Sequence, residues 1–141
     1  MKRIIIAVLC VLGLVSALDA QEKKGVMPLS SKEFKTKVYD ISAKNPEYLG
    51  SKPAIVDFYA SWCGPCRAIS PVLEELAKEY GDKIVIYKVD VDASRDIAQA
   101  FGIRSIPAVL FIPMKGEAQM TVGGRSKEDF KKQIDTILLG K

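Results

Sequence analysis

Two cysteines, Cys63 and Cys66, carry the clearest chemistry in this chain. They stand in Trp62-Cys63-Gly64-Pro65-Cys66-Arg67, where an apolar run, Ala54-Ile55-Val56-Asp57-Phe58-Tyr59-Ala60, gives way to a helical pattern. In that pattern Ile69, Val72, Leu73, Leu76 and Tyr80 recur at three- and four-residue spacing, as one face of a helix does. The first Cys therefore falls at a helix N-terminus, where unpaired backbone N–H groups and the helix dipole stabilise a thiolate. The second lies one turn further in, close enough to close a disulfide with it. Pro65 suits the first turn, because its missing N–H would have had no partner within the helix. A zinc site would need two more Cys or His ligands. The chain has no His, and its third Cys is Cys10, so no metal is expected. A purely structural disulfide across so short a loop would remove little chain entropy. Redox exchange is the reading that remains.

The elements around the pair follow from periodicity. The Ala54-to-Ala60 run is apolar on both faces apart from Asp57, as a central strand covered on both sides should be. Mid-run, Asp57 is expected to be buried, and burial raises a carboxyl pKa. That makes it a candidate proton acceptor for Cys66. A helix is expected from about Cys63 to Tyr80, stopped by Gly81 and kinked at Pro71. Upstream, Ser30 and Glu33 read as a capping box opening a helix to about Ala43, with Phe34, Val38 and Ile41 as its apolar stripe. Val26 to Leu29 reads as a short edge strand, and Ile84 to Asp90 as a buried one in which Lys88 interrupts the apolar run. Lys88 reads either as an end residue reaching solvent or as part of the site. Ser94 to Phe101 is a short helix. Ala108 to Ile112 and Glu117 to Val122 form a hairpin, with Ala118, Met120 and Val122 on its apolar face. Ser126 caps a last helix carrying Phe130, Ile134, Ile137 and Leu138. This order predicts an α/β domain with a central mixed sheet sandwiched by helices.

Three separated stretches carry a family resemblance. The segment 57–67 resembles the active-site segment of thioredoxins. Phe101-Gly102-Ile103-Arg104-Ser105-Ile106-Pro107 and Val122-Gly123-Gly124 resemble that family's other two active-site loops. The match runs from about Val26 to Leu139 and implies the thioredoxin fold. It also implies roles: Cys63 the nucleophile, Cys66 the resolving thiol, Asp57 the proton acceptor and Lys88 a neighbour that tunes it. It implies a cis peptide before Pro107, with the Ile106 backbone pairing with substrate. Trp62 is expected to shield the sulfurs, and Gly123 to leave a flat spot for a docking chain. Gly64 lets another backbone approach, and the Gly64-Pro65 pair goes in the family with a reducing potential. Tyr59 stands where a second Trp is frequent, and Arg67 where Lys is common.

At 141 residues and 48% hydrophobic content, the chain is one globular domain behind a leader. Met1-Lys2-Arg3 followed by an uncharged stretch, 4–18, reads as a secretory signal peptide over 1–20, cut after Ala17 or Ala20. A retained N-terminal anchor is the alternative. Residues 21–25 read as a flexible segment and 26–141 as the domain. A formal charge of +4, with no basic cluster interleaved with aromatics, gives no case for nucleic acid. The expected activity is reduction of disulfides in exported, periplasmic proteins by a monomer without cofactor. Electrons would come from a membrane thiol carrier or another reductant, because no nicotinamide or flavin motif is present. The rival readings are an oxidase or isomerase with the same site, and a non-catalytic scaffold of the same fold.

Overall fold

The strand that carries Asp57 is the middle of the sheet. A computed structural model of the chain describes residues 25–141. In chain order it contains β1 (Met27–Pro28), α1 (Ser31–Lys37), β2 (Ala54–Tyr59), α2 (Gly64–Tyr80), β3 (Val85–Asp90), α3 (Arg95–Ala100), β4 (Ala108–Ile112), β5 (Gln119–Val122) and α4 (Lys127–Gln133). The sheet order is β1-β3-β2-β4-β5, parallel among β1, β3 and β2, and antiparallel from β2 through β4 to β5. Every residue of β2 from Ala54 to Phe58 is buried, which is why that strand reads as a continuous apolar run. Its alternate residues enter two separate cores. Val56 and Phe58 pack with Phe34, Val38 and Ile97 on the α1–α3 side. Ile55 packs with Ile69, Leu73, Phe130 and Ile134 on the α2–α4 side. Each fully buried side chain of this size contributes about 1.5–3 kcal/mol of transfer free energy.

Local signals in the sequence explain most boundaries. The Ser30 side chain accepts the Glu33 N–H at 3.2 Å, and Glu33 reaches back to the Ser30 N–H at 2.9 Å, completing the expected capping box. Gly81, at φ +52°, ends α2 in a conformation that disfavours any residue with a Cβ. The α2 helix runs unbroken through Pro71.

Three expectations are corrected. Helix α1 stops at Lys37 rather than near Ala43, because Tyr39 leaves the helix to bridge Tyr48 in an isolated antiparallel pair. In the hairpin Val122 is 55% exposed, so β5, at the sheet edge, does not bury the apolar face its alternation implies. The last helix changes register at Ile134, where residues Ile134–Leu138 form a π-helical turn. There the Leu139 N–H reaches the Ile134 carbonyl, and Ile134 and Leu138 are both buried. The leader over 1–20 and most of the segment 21–25 lie outside the described residues, as does Cys10. Among the described residues no helix is long and apolar enough to cross a membrane.

Candidate active site

Cys63 is the N-cap of α2, and its Sγ accepts the Cys66 N–H at 3.3 Å. The preceding strand delivers it there, because β2 ends at Tyr59 and the Cys63 N–H closes back on the Ala60 carbonyl. Pro65 lies in the first turn, as its missing N–H allows. Cys63 and Cys66 are disulfide-bonded, with Cα atoms 5.3 Å apart. Arg67 Nη1 donates to the Ser61 carbonyl at 3.1 Å and ties the loop to the first turn of α2.

The sulfurs are less open than a helix N-terminus at the surface would suggest. Cys63 is 4% exposed and Cys66 3%, packed with Ala60 against Tyr59, Val91 and Ile106. Exposure therefore does not separate the two thiols; position does, with Cys63 at the cap and Cys66 within the helix. The side chain standing open is Trp62, at 67% exposure. Its Nε1 donates to Asp92 Oδ2 at 2.8 Å, which anchors the indole. Asp92 escapes a reading of the sequence alone. The available signal is Asp90-Val91-Asp92 just past the end of a parallel strand, where open sheets place their sites. Asp90 Oδ1 accepts the Asp92 N–H at 2.9 Å and shapes that turn.

Asp57 is buried, 4% exposed, and its Oδ1 has no hydrogen-bond partner. Burial pushes its carboxyl up to about 7, opposed by the positive charge of Lys88. Lys88 lies opposite it in the β2–β3 register, inside β3 rather than at its end, and is half-buried. The ammonium stands 5.5 Å from the centre of the Tyr59 ring. The Ile106–Pro107 peptide is cis, as the resemblance implies, with Pro107 buried and Ile106 packed against the sulfur cluster. The Gly123 N–H donates to the Pro107 carbonyl at 2.9 Å and ties the third loop to the second. Trp62, Cys63, Cys66, Asp57, Lys88, Ile106, Pro107 and Gly123 thus gather at the C-terminal end of β2. Gly64 is exposed at the start of α2.

The Thioredoxin family model matches residues 25–136. The chain belongs to the thioredoxin family. It is a thioredoxin-family thiol–disulfide oxidoreductase with a mixed five-stranded sheet flanked by helices. It is 43% identical over 107 residues to the thioredoxin of Borreliella burgdorferi, covering 75% of this chain and 92% of that protein. It is 40% identical over 106 residues to the thioredoxin of Chlorobaculum thiosulfatiphilum, covering 75% of this chain and 90% of that one. Against the chloroplastic M-type thioredoxin of Pisum sativum it is 43% identical over 91 residues, covering 64% of this chain and 53% of the relative. Among solved structures, chloroplastic thioredoxin z superposes with a TM-score of 0.68 at 25% identity, covering 80% of this chain and 94% of that one.

Gly123 offers a test of the site's backbone. Its φ is +96°, yet a Cβ there would meet no heavy atom within 4 Å. Backbone conformation, not crowding, selects glycine here. Gly123→Ala is expected to lower unfolding free energy by about 1–3 kcal/mol, read by urea denaturation. An unchanged midpoint would show that the loop relaxes to negative φ at no cost.

Proposed function

We propose that this chain is a protein-disulfide reductase of exported proteins, working through the Cys63–Cys66 couple. The observation that carries the reading is the cysteine pair at the start of α2 with a buried carboxyl on the strand leading into it. The Cys63 thiolate attacks a substrate disulfide, forming a Cys63–substrate mixed disulfide and releasing one substrate thiolate. Cys66 then loses its proton to Asp57, held in a range where it exchanges protons near neutrality. The Cys66 sulfur attacks Cys63 Sγ, closing the Cys63–Cys66 disulfide and releasing the second substrate thiol. Two electrons pass from the dithiol to the substrate. Lys88 tunes Asp57 through its charge. Gly64, Pro65, Trp62, Ile106, Pro107 and Gly123 form the docking surface, where the Ile106 main chain pairs with an extended substrate segment. Main-chain pairing reads few side chains and so accepts varied disulfides.

The export half of the proposal comes from residues 1–20, which act as a leader that is cleaved before the domain. Several relatives are named as chloroplastic. Transit peptides, however, are amphipathic and Ser-rich, whereas 4–18 is an uncharged apolar stretch with one Ser after Lys2-Arg3. A membrane-embedded thiol carrier, or another reductant, resupplies the electrons. Intact-mass measurement of the exported form checks the leader: the expected N-terminus follows Ala17 or Ala20.

The direction of exchange is tested by the reduction potential, read from the fluorescence of Trp62, the only tryptophan in the chain. Thioredoxin itself has a potential of about −270 mV, a reference point for the class. A potential at or below about −250 mV is expected for a reductase. One between about −180 and −120 mV would make the protein an oxidase or isomerase.

A further inference from the structure

Four side chains with polar or charged ends share one face of the sheet beside the cysteine pair. In the parallel β2–β3 register Asp57 lies opposite Lys88 and Tyr59 opposite Asp90, and alternate residues of a strand share a face. That face is the one covered by α2 and α4, because Ile55 and Ile86, in the same alternation, pack with Ile69, Leu73 and Phe130. A buried carboxylate opposite a lysine is the ordinary setting for a direct ion pair. Here Asp57 Oδ1 is left without a partner, and the Lys88 ammonium stands over the Tyr59 ring, 5.5 Å from its centre.

We propose that Tyr59 is a positioning residue whose ring holds the Lys88 ammonium off the Asp57 carboxyl and so sets how readily that carboxyl takes the proton from Cys66. The inference rests on the reading of Asp57 as proton acceptor given above. The physical basis is competition for one cation. The face of an aromatic ring attracts an ammonium, more strongly where water is partly excluded, and Tyr59 is half-buried against the cysteines. A carboxylate in direct contact with the same ammonium would be stabilised in its charged form and would release its proton too easily to serve as an acceptor near neutrality. Burial alone would leave the acid strongly protonated; Lys88 at its present distance offsets part of that. The ring therefore acts as a stop that fixes the size of the offset.

The surroundings leave few other groups to do this. Lys88 and Asp90 share the acid's face of the sheet from β3, Tyr59 shares it from its own strand, and the Cys63–Cys66 pair packs on Tyr59 from the start of α2. On the other side β4 brings the apolar Val109, and beyond it lies the uncharged Thr121 of β5. The α4 side of this core is formed by Phe130 and Ile134. The Tyr59 hydroxyl is itself raised by burial and by the nearby charges of Asp90 and Asp57, which places both acids around the same ring.

The test follows the Asp57 carboxyl carbon by NMR as pH is varied. The samples are the parent, Tyr59→Phe and Tyr59→Leu, each with and without Lys88→Met. Tyr59→Phe keeps the ring and should titrate with the parent. Tyr59→Leu removes it, and the Asp57 midpoint should fall by about one pH unit, a tenfold loss of proton affinity. In the Lys88→Met background the Leu substitution should leave the midpoint unmoved. Equal midpoints in the Phe and Leu variants, a rise in the Leu variant, or the same shift without Lys88 would each overturn the proposal. A second readout needs no substitution that risks the fold. The Lys88 ε-methylene protons should be shifted upfield by the ring in the parent, and their absence from that position would also overturn it. Neither readout uses turnover. A protein that passes both and fails to reduce disulfides would refute the reductase reading and leave this one standing.

Discussion

Replacing Asp57 with Asn should make the oxidised protein more stable than the parent above pH 7 by about 3–4 kcal/mol, taking their difference at pH 4 as zero. The carboxyl lies at about 7 in the folded protein against an ordinary 3.8, so the folded state keeps a proton that the unfolded state has already lost. Stability then falls as pH rises from about 4 to 7 and levels off above, because beyond that both states are ionised. Below about 4 both are protonated and the acid contributes no slope. The roughly three-unit difference, at about 1.4 kcal/mol each, sets the size. The residue is 4% exposed, so solvent screening reduces it little. Urea unfolding of parent and variant at pH 4, 5.5, 7 and 8.5 measures the effect as the change in their difference. Parallel stability curves would show that Asp57 ionises without penalty, and its proposed part in catalysis would lose its basis. The same variant should slow resolution of a mixed disulfide in single turnover while leaving attack by Cys63 nearly unchanged. A carboxyl only partly compensated by Lys88, with that expected cost to stability, would mark a site where folding and function pull apart.

Cys66→Ser should abolish catalytic turnover, by about 10³-fold or more, while leaving a covalent adduct between Cys63 and substrate. The first exchange needs one thiolate and the second needs the other. Without Cys66 the reaction halts at the mixed disulfide, which a non-reducing gel and peptide mass mapping would locate. Cys63→Ser should lose turnover equally and form no adduct. The two sulfurs are almost equally buried, at 4% and 3%, so their roles cannot be inferred from accessibility. What distinguishes them is the N-cap position of Cys63 and the Cys66 N–H aimed at its sulfur. An adduct through Cys66 in the Cys63→Ser protein would invert the assignment. The experiment needs a chain that begins after Ala20, or one carrying Cys10→Ser, so that no third thiol competes.

Much of this is legible in the sequence because it is local. Glycine at the end of α2, the Ser30–Glu33 cap and the apolar run of β2 are each set by a few neighbouring residues, and each appears where expected. The cysteine pair is local too, since one helical turn brings its partners together whatever the rest of the chain does. The errors fall where distant segments compete with local preference. Residues 38–43 continue a helical pattern, but the Tyr39–Tyr48 bridge takes the chain out of the helix. Val122 alternates like a buried strand residue, but β5 is the sheet edge and buries little.

The elements, their order, the redox pair and the acid in the central strand are readable from short stretches of chain, because periodicity and spacing are local properties. The particular contacts around that pair required the folded sheet. The β2–β3 register sets Lys88 beside Asp57, with its ammonium over the Tyr59 ring. A hydrogen bond joins Trp62 to Asp92, thirty residues further along the chain, and the fold closes over both sulfurs. These are contacts between residues remote in the chain, and their energies depend on burial and distance, which exist only once the sheet has formed.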